Sequence, residues 1–337
     1  MIRFVLAIAA LALATVSPAH ADAVSDFYKG KTVTIYVGFT PGGNYDLYAR
    51  MLSEFMPRHM PGNPQLVVQN KPGAASLNAA QSVMKVLPQD GLSIAMTANM
   101  LPLEQLLEGA NAAIDMKKAR WLGNMVELTS AAIVWHDSPI KTLDEMKQKE
   151  TVFGSTGPSG ETYVVPLAMN AILGTKIKVV AGYPGITEVM VALERGEIQG
   201  RSGSWQNVLQ HPDWIAGKKI IPIVQVGVRK HPDLAGVPQL SELAKTPEDK
   251  QLADLVSNSI AVSRAPWVGP GVPEERVKAL RAAFDATMKD PEFVKVAQER
   301  NVELTYMSGE DVEKRLSKSL DVSPELVTRL KTILEPK

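Results

Sequence analysis

The sequence predicts an α/β fold of two α/β lobes around a ligand cleft. Three observations carry that expectation. β-Branched runs alternate with helix-patterned stretches from Thr32 to Val226, and such alternation builds a parallel sheet with helices outside. Glycine-rich breaks stand between strands and the helices that follow them, where open α/β sheets bind ligands. About 316 of the 337 residues remain once a leader is removed, whereas a single core stops growing near roughly 250–300 residues.

The elements follow in order. Thr32 to Gly38 reads TVTIYVG, with Val33, Ile35 and Val37 on one face of a strand. Pro41-Gly42-Gly43 breaks it. The next stretch has a helical stripe of Leu47, Met51 and Phe55, with Asn44 or Asp46 expected as N-cap. Leu66-Val67-Val68 is the second strand, Lys71-Pro72-Gly73 breaks it, and a helix is expected from about Ser76 to Val86. Leu92 to Met96 is a third strand. A second set begins near Ala131, with Ala132 to Trp135 as a strand and Thr142-x-x-Glu145 as a capping box. Thr151 to Gly154 is a strand, and a helix from about Thr162 to Leu173 follows its loop. Lys176 to Ala181 ends at Tyr183-Pro184-Gly185, and Gly196 closes the next helix. Glu197 to Gly200 and Ile220 to Val226 read as strands. The tail is helical, with Pro273 expected at a first helical position before Glu274 and Glu275. Asp290-Pro291, Ser308-x-x-Asp311 and Ser323-Pro324 each open a further helix. Lobe I is expected to comprise 22–126 and 226–337, and lobe II 127–225.

The N-terminus has the layout of a cleavable secretory signal peptide over residues 1–21. Arg3 is followed by an uncharged stretch from Phe4 to about Val16, then Pro18 and the A-x-A segment Ala19-His20-Ala21. The apolar run is shorter than the roughly 20 residues of a membrane span. Export should cleave between Ala21 and Asp22 and deliver a periplasmic protein. The 36 Lys and Arg balance 36 Asp and Glu; losing Arg3 leaves a net charge near −1. That balance argues against a nucleic-acid partner. With no cysteine, the fold uses no disulfides, and a structural zinc site is not expected.

Three loops concentrate the binding chemistry. Thr40-Pro41-Gly42-Gly43-Asn44-Tyr45-Asp46 places glycines before a helix, where backbone N–H groups and the positive helix end suit a carboxylate. A tight turn that needs glycine at positive φ is the competing explanation. Asp46 reads more as a cap than as a contact, because its charge would repel an anion. Gly154-Ser155-Thr156-Gly157-Pro158-Ser159-Gly160 gathers hydroxyls and amides before another helix, as half an anion site or as a polar turn. Asn70-Lys71-Pro72-Gly73-Ala74-Ala75-Ser76 is a third loop, with Pro-Gly also an ordinary turn pair. No catalytic group, metal site or cofactor site is expected. The four histidines beyond the leader, His59, His136, His211 and His231, do not pair at metal-ligand spacing. Ser82-Val83-Met84-Lys85 matches S-x-x-K without its companion motifs.

These loops, in this order, resemble the Bug family, the TctC-like periplasmic receptors of tripartite tricarboxylate transporters. Pro41-Gly42-Gly43-Asn44-Tyr45-Asp46 with Ala49-Arg50 matches P-G-G-x-x-D-x-x-A-R, and Asn70-Lys71-Pro72-Gly73-Ala74 matches N-x-P-G-A. Tyr28-Lys29-Gly30-Lys31, Pro88-Gln89-Asp90-Gly91, Ser155 to Ser159, Tyr183-Pro184-Gly185, Val237-Pro238, and Ala265-Pro266 through Val272-Pro273 resemble its other landmarks. The resemblance implies a type II periplasmic-binding-protein fold that closes on a small organic carboxylate (di-, tri- or aromatic), held largely by backbone amides, hydroxyls and waters. Carried over, it points to Thr40, Gly42, Gly43, Asp46, Ser155, Thr156 and Ser159, with Ala74 and Tyr183 in the neighbouring loops. The sequence departs from the family at Ala74-Ala75-Ser76, where A-G-G is common. It departs again at Arg201 within Gly200-Arg201-Ser202-Gly203, which raises a charge-paired second carboxylate. The implied partners are the ligand and the integral-membrane transporter subunits, with the receptor itself monomeric. A periplasmic α/β hydrolase-like enzyme and a ligand-sensing partner of a two-component sensor kinase are the alternatives.

Overall fold

The computed structural model describes residues 19–108, 112–158 and 160–334, with side chains from residue 23. The leader up to Pro18 and the loop residue Ser159 lie outside the described residues. Strands are numbered β1 to β12 in chain order. β1 (Thr32–Val37), β2 (Gln65–Asn70), β3 (Ser93–Met96), β4 (Arg120–Trp121) and β11 (Pro266–Val268) form one sheet in the order β2-β1-β3-β11-β4. β1 runs parallel to both β2 and β3, while β11 returns antiparallel to β3 and β4. Val33, Ile35 and Val37 are fully buried, so the alternating face of β1 is the core face.

β6 (Ser130–Trp135), β7 (Thr151–Ser155), β8 (Ile177–Ala181), β9 (Gly200–Arg201) and β10 (Ile220–Val226) form the second sheet, ordered β10-β6-β9-β7-β8. β7 is parallel to β8 and β9, and β6 is antiparallel to β9 and β10. A small pair, β5 (Gly123–Asn124) with β12 (Met307–Ser308), lies beside the first sheet. An isolated bridge joins Val126 to Ser263, so two chain segments run side by side there. Residues 231–239 fold back on the second sheet through Gln225, whose amide donates to the Leu234 and Val237 carbonyls. The helix Pro247–Ala261 packs on the helix Glu161–Leu173 and on β10.

Several expected caps are present. Thr142 and Glu145 form the reciprocal box, and Asp290 and Ser308 cap their helices. Four readings need correction. The N-cap of helix Asn44–Phe55 is Gly43, not Asn44 or Asp46. Pro273 is an N-cap rather than a first helical residue. The strand expected at Glu197–Gly200 shrinks to Gly200–Arg201. The helix expected over Ser76–Val86 is broken into a 3₁₀ turn, the short helix Leu77–Gln81 and a π-turn at Ser82–Val86. The break follows from Ala74, Ala75 and Ser76, which all take positive φ (46°, 44° and 79°). Within it, the Ser82 hydroxyl donates to the Asn78 carbonyl and Lys85 is exposed, so the S-x-x-K match forms no nucleophile–base pair.

Candidate functional site

The site is a cleft between the carboxyl ends of the two sheets. The Pro41 loop enters it from β1. Gly42 has φ +88°, a left-handed conformation that suits glycine, whereas Gly43 is extended at φ −84°. Gly43 caps its helix without a capping side chain, so the first helical N–H groups face the cleft uncapped. Asp46 is buried behind the loop. Its carboxylate accepts from the Gly42 N–H (3.1 Å), Arg50 Nε (2.9 Å) and Asn70 Nδ2 (2.9 Å). Burial pushes its carboxyl up, and the bonds from Arg50, Gly42 and Asn70 outweigh that and hold it below the usual range. Asp46 therefore braces the loop, and the Gly42 amide is already engaged.

The Asn70 loop lies beside it. Gly73, Ala74, Ala75 and Ser76 are four successive positive-φ residues, three of them residues for which this costs energy. Two contacts hold them there. Ser76 Oγ accepts from the Ala98 N–H at 2.7 Å, and Gly38 lies so close that a Cβ on it would sit 2.0 Å from the Ser76 Cβ. Ala75 faces the other sheet's loop, 3.3 Å from where a Gly157 Cβ would stand.

On the second sheet, the Ser155 loop is tied inward. The Ser155 and Thr162 hydroxyls are 3.0 Å apart, and Ser155 Oγ accepts from the Gly157 N–H. Ser155 is thus a brace, while Thr156 lines the cleft. Gly160 caps the helix Glu161–Leu173 and Gly185 caps the helix Ile186–Glu194, both without a capping side chain. With the Asn44 helix, three uncapped helix N-termini converge on one cleft from two sheets, each a partial positive charge. The two sides touch. Thr40 Oγ1 donates to Glu188 Oε2 at 3.0 Å, and a Gly185 Cβ would sit 2.1 Å from Thr40 Oγ1.

The enclosed space measures about 40 Å³. At roughly 10–15 Å³ for each water-sized probe, it holds a few waters or a group the size of a carboxylate. Of the sequence-predicted residues, Thr40, Gly43 and Thr156 line it. Gly42, Asp46, Ala74, Ser155, Tyr183 and Arg201 are not in its lining, and Tyr183 packs against the second sheet's core. Asn44, Asn99, Glu161 and Arg264 line it as well and were not anticipated. Each leaves a buried polar atom unpartnered: Asn44 Nδ2, Asn99 Nδ2, Glu161 Oε2 and Arg264 Nε. Buried polar groups are normally satisfied, so four at one cavity mark a place built for something else to bond there. Asn44 stands inside the P-G-G motif, and Asn99 follows the carboxyl end of β3, so position could have flagged both.

Arg264 is the most constrained of the four. It is 2% exposed, its guanidinium lies 4.0 Å from the Tyr45 ring centroid, and its Nη1 donates to Ser263 Oγ at 2.6 Å. Its backbone sits at φ +56°, beside the Val126–Ser263 bridge. Arg201 is fully buried. Among the described residues none of its guanidinium nitrogens has a partner, and burial pushes its pKa down to about 10 against the opposing pull of Glu161. Its Nη1 is 2.8 Å from where a Gly203 Cβ would stand, and Glu161 Oε1 is 3.8 Å from the same point.

Comparison with known proteins now bears on this cleft. The model of the tripartite tricarboxylate transporter family receptor matches residues 49–331. The chain belongs to this receptor family. A UPF0065 protein from the gbd 5′ region of Cupriavidus necator is 25% identical over 335 residues, covering 96% of this chain and 94% of that one. The periplasmic binding protein BugD superposes with a TM-score of 0.70 at 19% identity, over 91% of this chain and 98% of BugD. R. palustris Rpa4515 with adipate gives a TM-score of 0.70 at 18% identity, over 90% and 97% of the two chains. The type II two-lobed fold expected from the resemblance is the fold of these receptors. Among the described residues, no helix is long and apolar enough to cross a membrane.

In this tripartite tricarboxylate transporter receptor a second clasp joins the two sides. Gln206 Nε2 donates to the Asn301 carbonyl, and Gln206 Oε1 accepts from the Glu303 N–H at 3.0 Å. His231 Nε2 meets Glu303 Oε1 at 2.6 Å, and Tyr48 Oη donates to the Glu303 carbonyl at 2.6 Å. The Glu303 bond raises the His231 pKa, against burial, and Asp233 at 3.8 Å adds to the rise. The folded state therefore holds this proton more tightly than the unfolded chain. The stabilisation is complete below pH 6.5 and is lost as pH rises through the elevated folded value. The receptor's urea midpoint should fall across that window, and His231→Gln should flatten the dependence. An unchanged pH profile in His231→Gln would remove His231 from the clasp.

Proposed function

We propose that this chain is a non-catalytic periplasmic solute-binding receptor that captures a small organic carboxylate and hands it to tripartite transporter subunits in the membrane. One observation carries the reading. Three buried, unpartnered donors, on Asn44, Asn99 and Arg264, meet uncapped helix N-termini at an enclosed cleft between two sheets. Pre-aimed donors with a desolvated guanidinium bind a carboxylate by charge-assisted hydrogen bonds. The adipate in Rpa4515 supports the same ligand class. Two larger hollows, of about 630 and 560 Å³, lack such a convergence of unpartnered donors. Thr40, Gly43 and Thr156 join the donors around the ligand, while Asp46, Ser155 and the Asn70 loop hold the cleft's shape.

The lobe limits belong to this proposal. The first crossing falls near Val126, as the sequence suggests. The bridge at Ser263 and the packing of Pro247–Ala261 on the second sheet favour a return near Ser263 over one near 226. The two crossings would then lie side by side as a hinge, with the cleft closing around it. Export by the N-terminal leader and a monomeric state complete the reading.

Thermal unfolding of refolded, ligand-stripped protein tests it against a panel of mono-, di- and tricarboxylates. A true ligand at 100 times its Kd adds about 2.7 kcal/mol of stability. A panel that leaves the transition unmoved at millimolar concentrations would sink the carboxylate reading.

A further inference from the structure

The same cleft contains an atom that a plain carboxylate cannot satisfy. Glu161 lines it, and the side chain is pinned: Oε1 accepts from the Ser204 N–H at 3.0 Å, and the main-chain carbonyl accepts from Ser202 Oγ at 3.2 Å. Oε2 is left buried and without a partner. The three orphaned donors opposite it come from Asn44, Asn99 and Arg264, and the one orphaned acceptor comes from the Glu161 helix. A ligand carboxylate on the donors leaves Oε2 unpaired and adds like-charge repulsion. A hydrogen-bond donor on the same ligand, aimed at Oε2, removes both penalties.

The charge inventory narrows the donor's chemistry. Arg264 brings one buried positive charge to the cleft, Arg201 is a second buried positive charge close to Glu161, and Glu161 brings one negative charge to the cleft lining. Asp46 is paired with Arg50, and Glu188 sits at the rim on Thr40. The inner set therefore carries one net positive charge, which a monoanion balances. A hydroxyl supplies the donor without altering that balance, whereas an ammonium would leave the positive charge uncompensated.

Resting on the carboxylate reading above, we propose that Glu161 makes the receptor selective for hydroxy-carboxylates over the corresponding unsubstituted acids. Arg201 is an opposite charge close to Glu161 and does not itself line the cavity. This changes the role suggested for Arg201 by sequence alone, that of a direct partner for a second carboxylate.

Calorimetric titration of ligand-stripped receptor with matched sets tests the assignment. Propionate, 2- and 3-hydroxypropionate and alanine form one set; butyrate, its 2- and 3-hydroxy derivatives and 2-aminobutyrate form another. One hydroxy isomer should bind about 10- to 100-fold more tightly than the unsubstituted acid, the range for a hydrogen bond to a charged group. The amino acid should bind no better than the unsubstituted acid. Glu161→Gln should narrow the hydroxy preference and tighten the unsubstituted acid, and Glu161→Ala should erase the preference, with circular dichroism confirming both folds. Equal affinity of hydroxy and unsubstituted acids for the unaltered receptor would overturn the proposal, and that comparison needs no variant. A preference that survives Glu161→Ala would overturn it too, as would an amino acid binding tightest. Acids that bind without hydroxyl discrimination leave the carboxylate reading standing, whereas a receptor that binds no acid of either set or of the wider panel loses both.

Discussion

Gly43→Val should abolish carboxylate binding at concentrations that saturate the unaltered receptor, while the protein remains folded. The reason is position rather than backbone strain. A tight turn needing glycine at positive φ is the competing explanation of the loop, yet Gly43 is extended at φ −84° and accepts valine's backbone preferences. What valine cannot avoid is its place. A Cβ there already lies 3.2 Å from Ile186 Cγ2 on the opposite side of the cleft, tighter than an unforced contact. The two added methyl groups stand before the uncapped N–H groups of the Asn44 helix. They block the anion and hold the sides apart at once. Gly42→Ala is the contrasting control. Gly42 is at φ +88°, and a Cβ there would meet only Thr187 Oγ1, at an ordinary 3.8 Å, so alanine there costs the folded protein about 1–2 kcal/mol with or without ligand and leaves the cavity lining untouched. Titration and denaturation on both variants separate the two effects. A folded Gly43→Val receptor with unchanged affinity would remove this loop from the site.

The frame of the molecule was legible because its signals are local. The alternation in Val33, Ile35 and Val37 is a property of six consecutive residues, and all three are core. Thr142 with Glu145, and Ser308 with Asp311, satisfy their bonds within one helical turn. The loops of the site were legible for the same reason: glycines between a strand and a helix advertise an uncapped helix end. The inner surface of the cleft was not. Asp46 is consumed by Gly42, Arg50 and Asn70, and the last of these is 24 residues away. Ser155 is consumed by Thr162. Which polar side chains are spent on the scaffold and which remain free depends on tertiary contacts, and motif matching counts both alike. Ala74, Ala75 and Ser76 show the same limit from the backbone side. Their composition suits a helix start, and only the approach of Gly38 and the Ala98 N–H forces them to positive φ.

Arg264 is where this limit matters most, and it yields the second large effect. Arg264→Gly should remove ligand binding while leaving the ligand-free receptor about as stable as before. At φ +56°, a non-glycine residue bears strain of order 1–3 kcal/mol, which glycine relieves. A buried guanidinium with an unpartnered Nε adds a further desolvation cost to the empty state. Against these gains stand the lost contact over Tyr45, worth roughly 0.5–2 kcal/mol, the bond to Ser263, worth about 1 kcal/mol, and the packing of the buried side-chain stem, whose loss is softened because its space opens to the water of the cavity. The opposing changes are of the same size, so the ligand-free unfolding midpoint should shift little. Binding has no such offset. Among the described residues the guanidinium is the one positive group that lines the cavity, and losing a charge-assisted bond to a carboxylate costs about 10- to 100-fold in affinity, or more where the fork is bidentate. Arg264→Lys should recover only part of this, because an ammonium keeps the charge but neither the fork nor the stacking on Tyr45. Thermal unfolding with and without a saturating carboxylate reads both quantities in one experiment. The midpoint without ligand should be nearly common to all three proteins, and the ligand-induced rise should fall from the unaltered receptor to Arg264→Lys to Arg264→Gly. A strained arginine that could be replaced by glycine with no loss of the ligand-induced rise would have no part in holding the ligand, and the three-donor account of the cleft would fail with it.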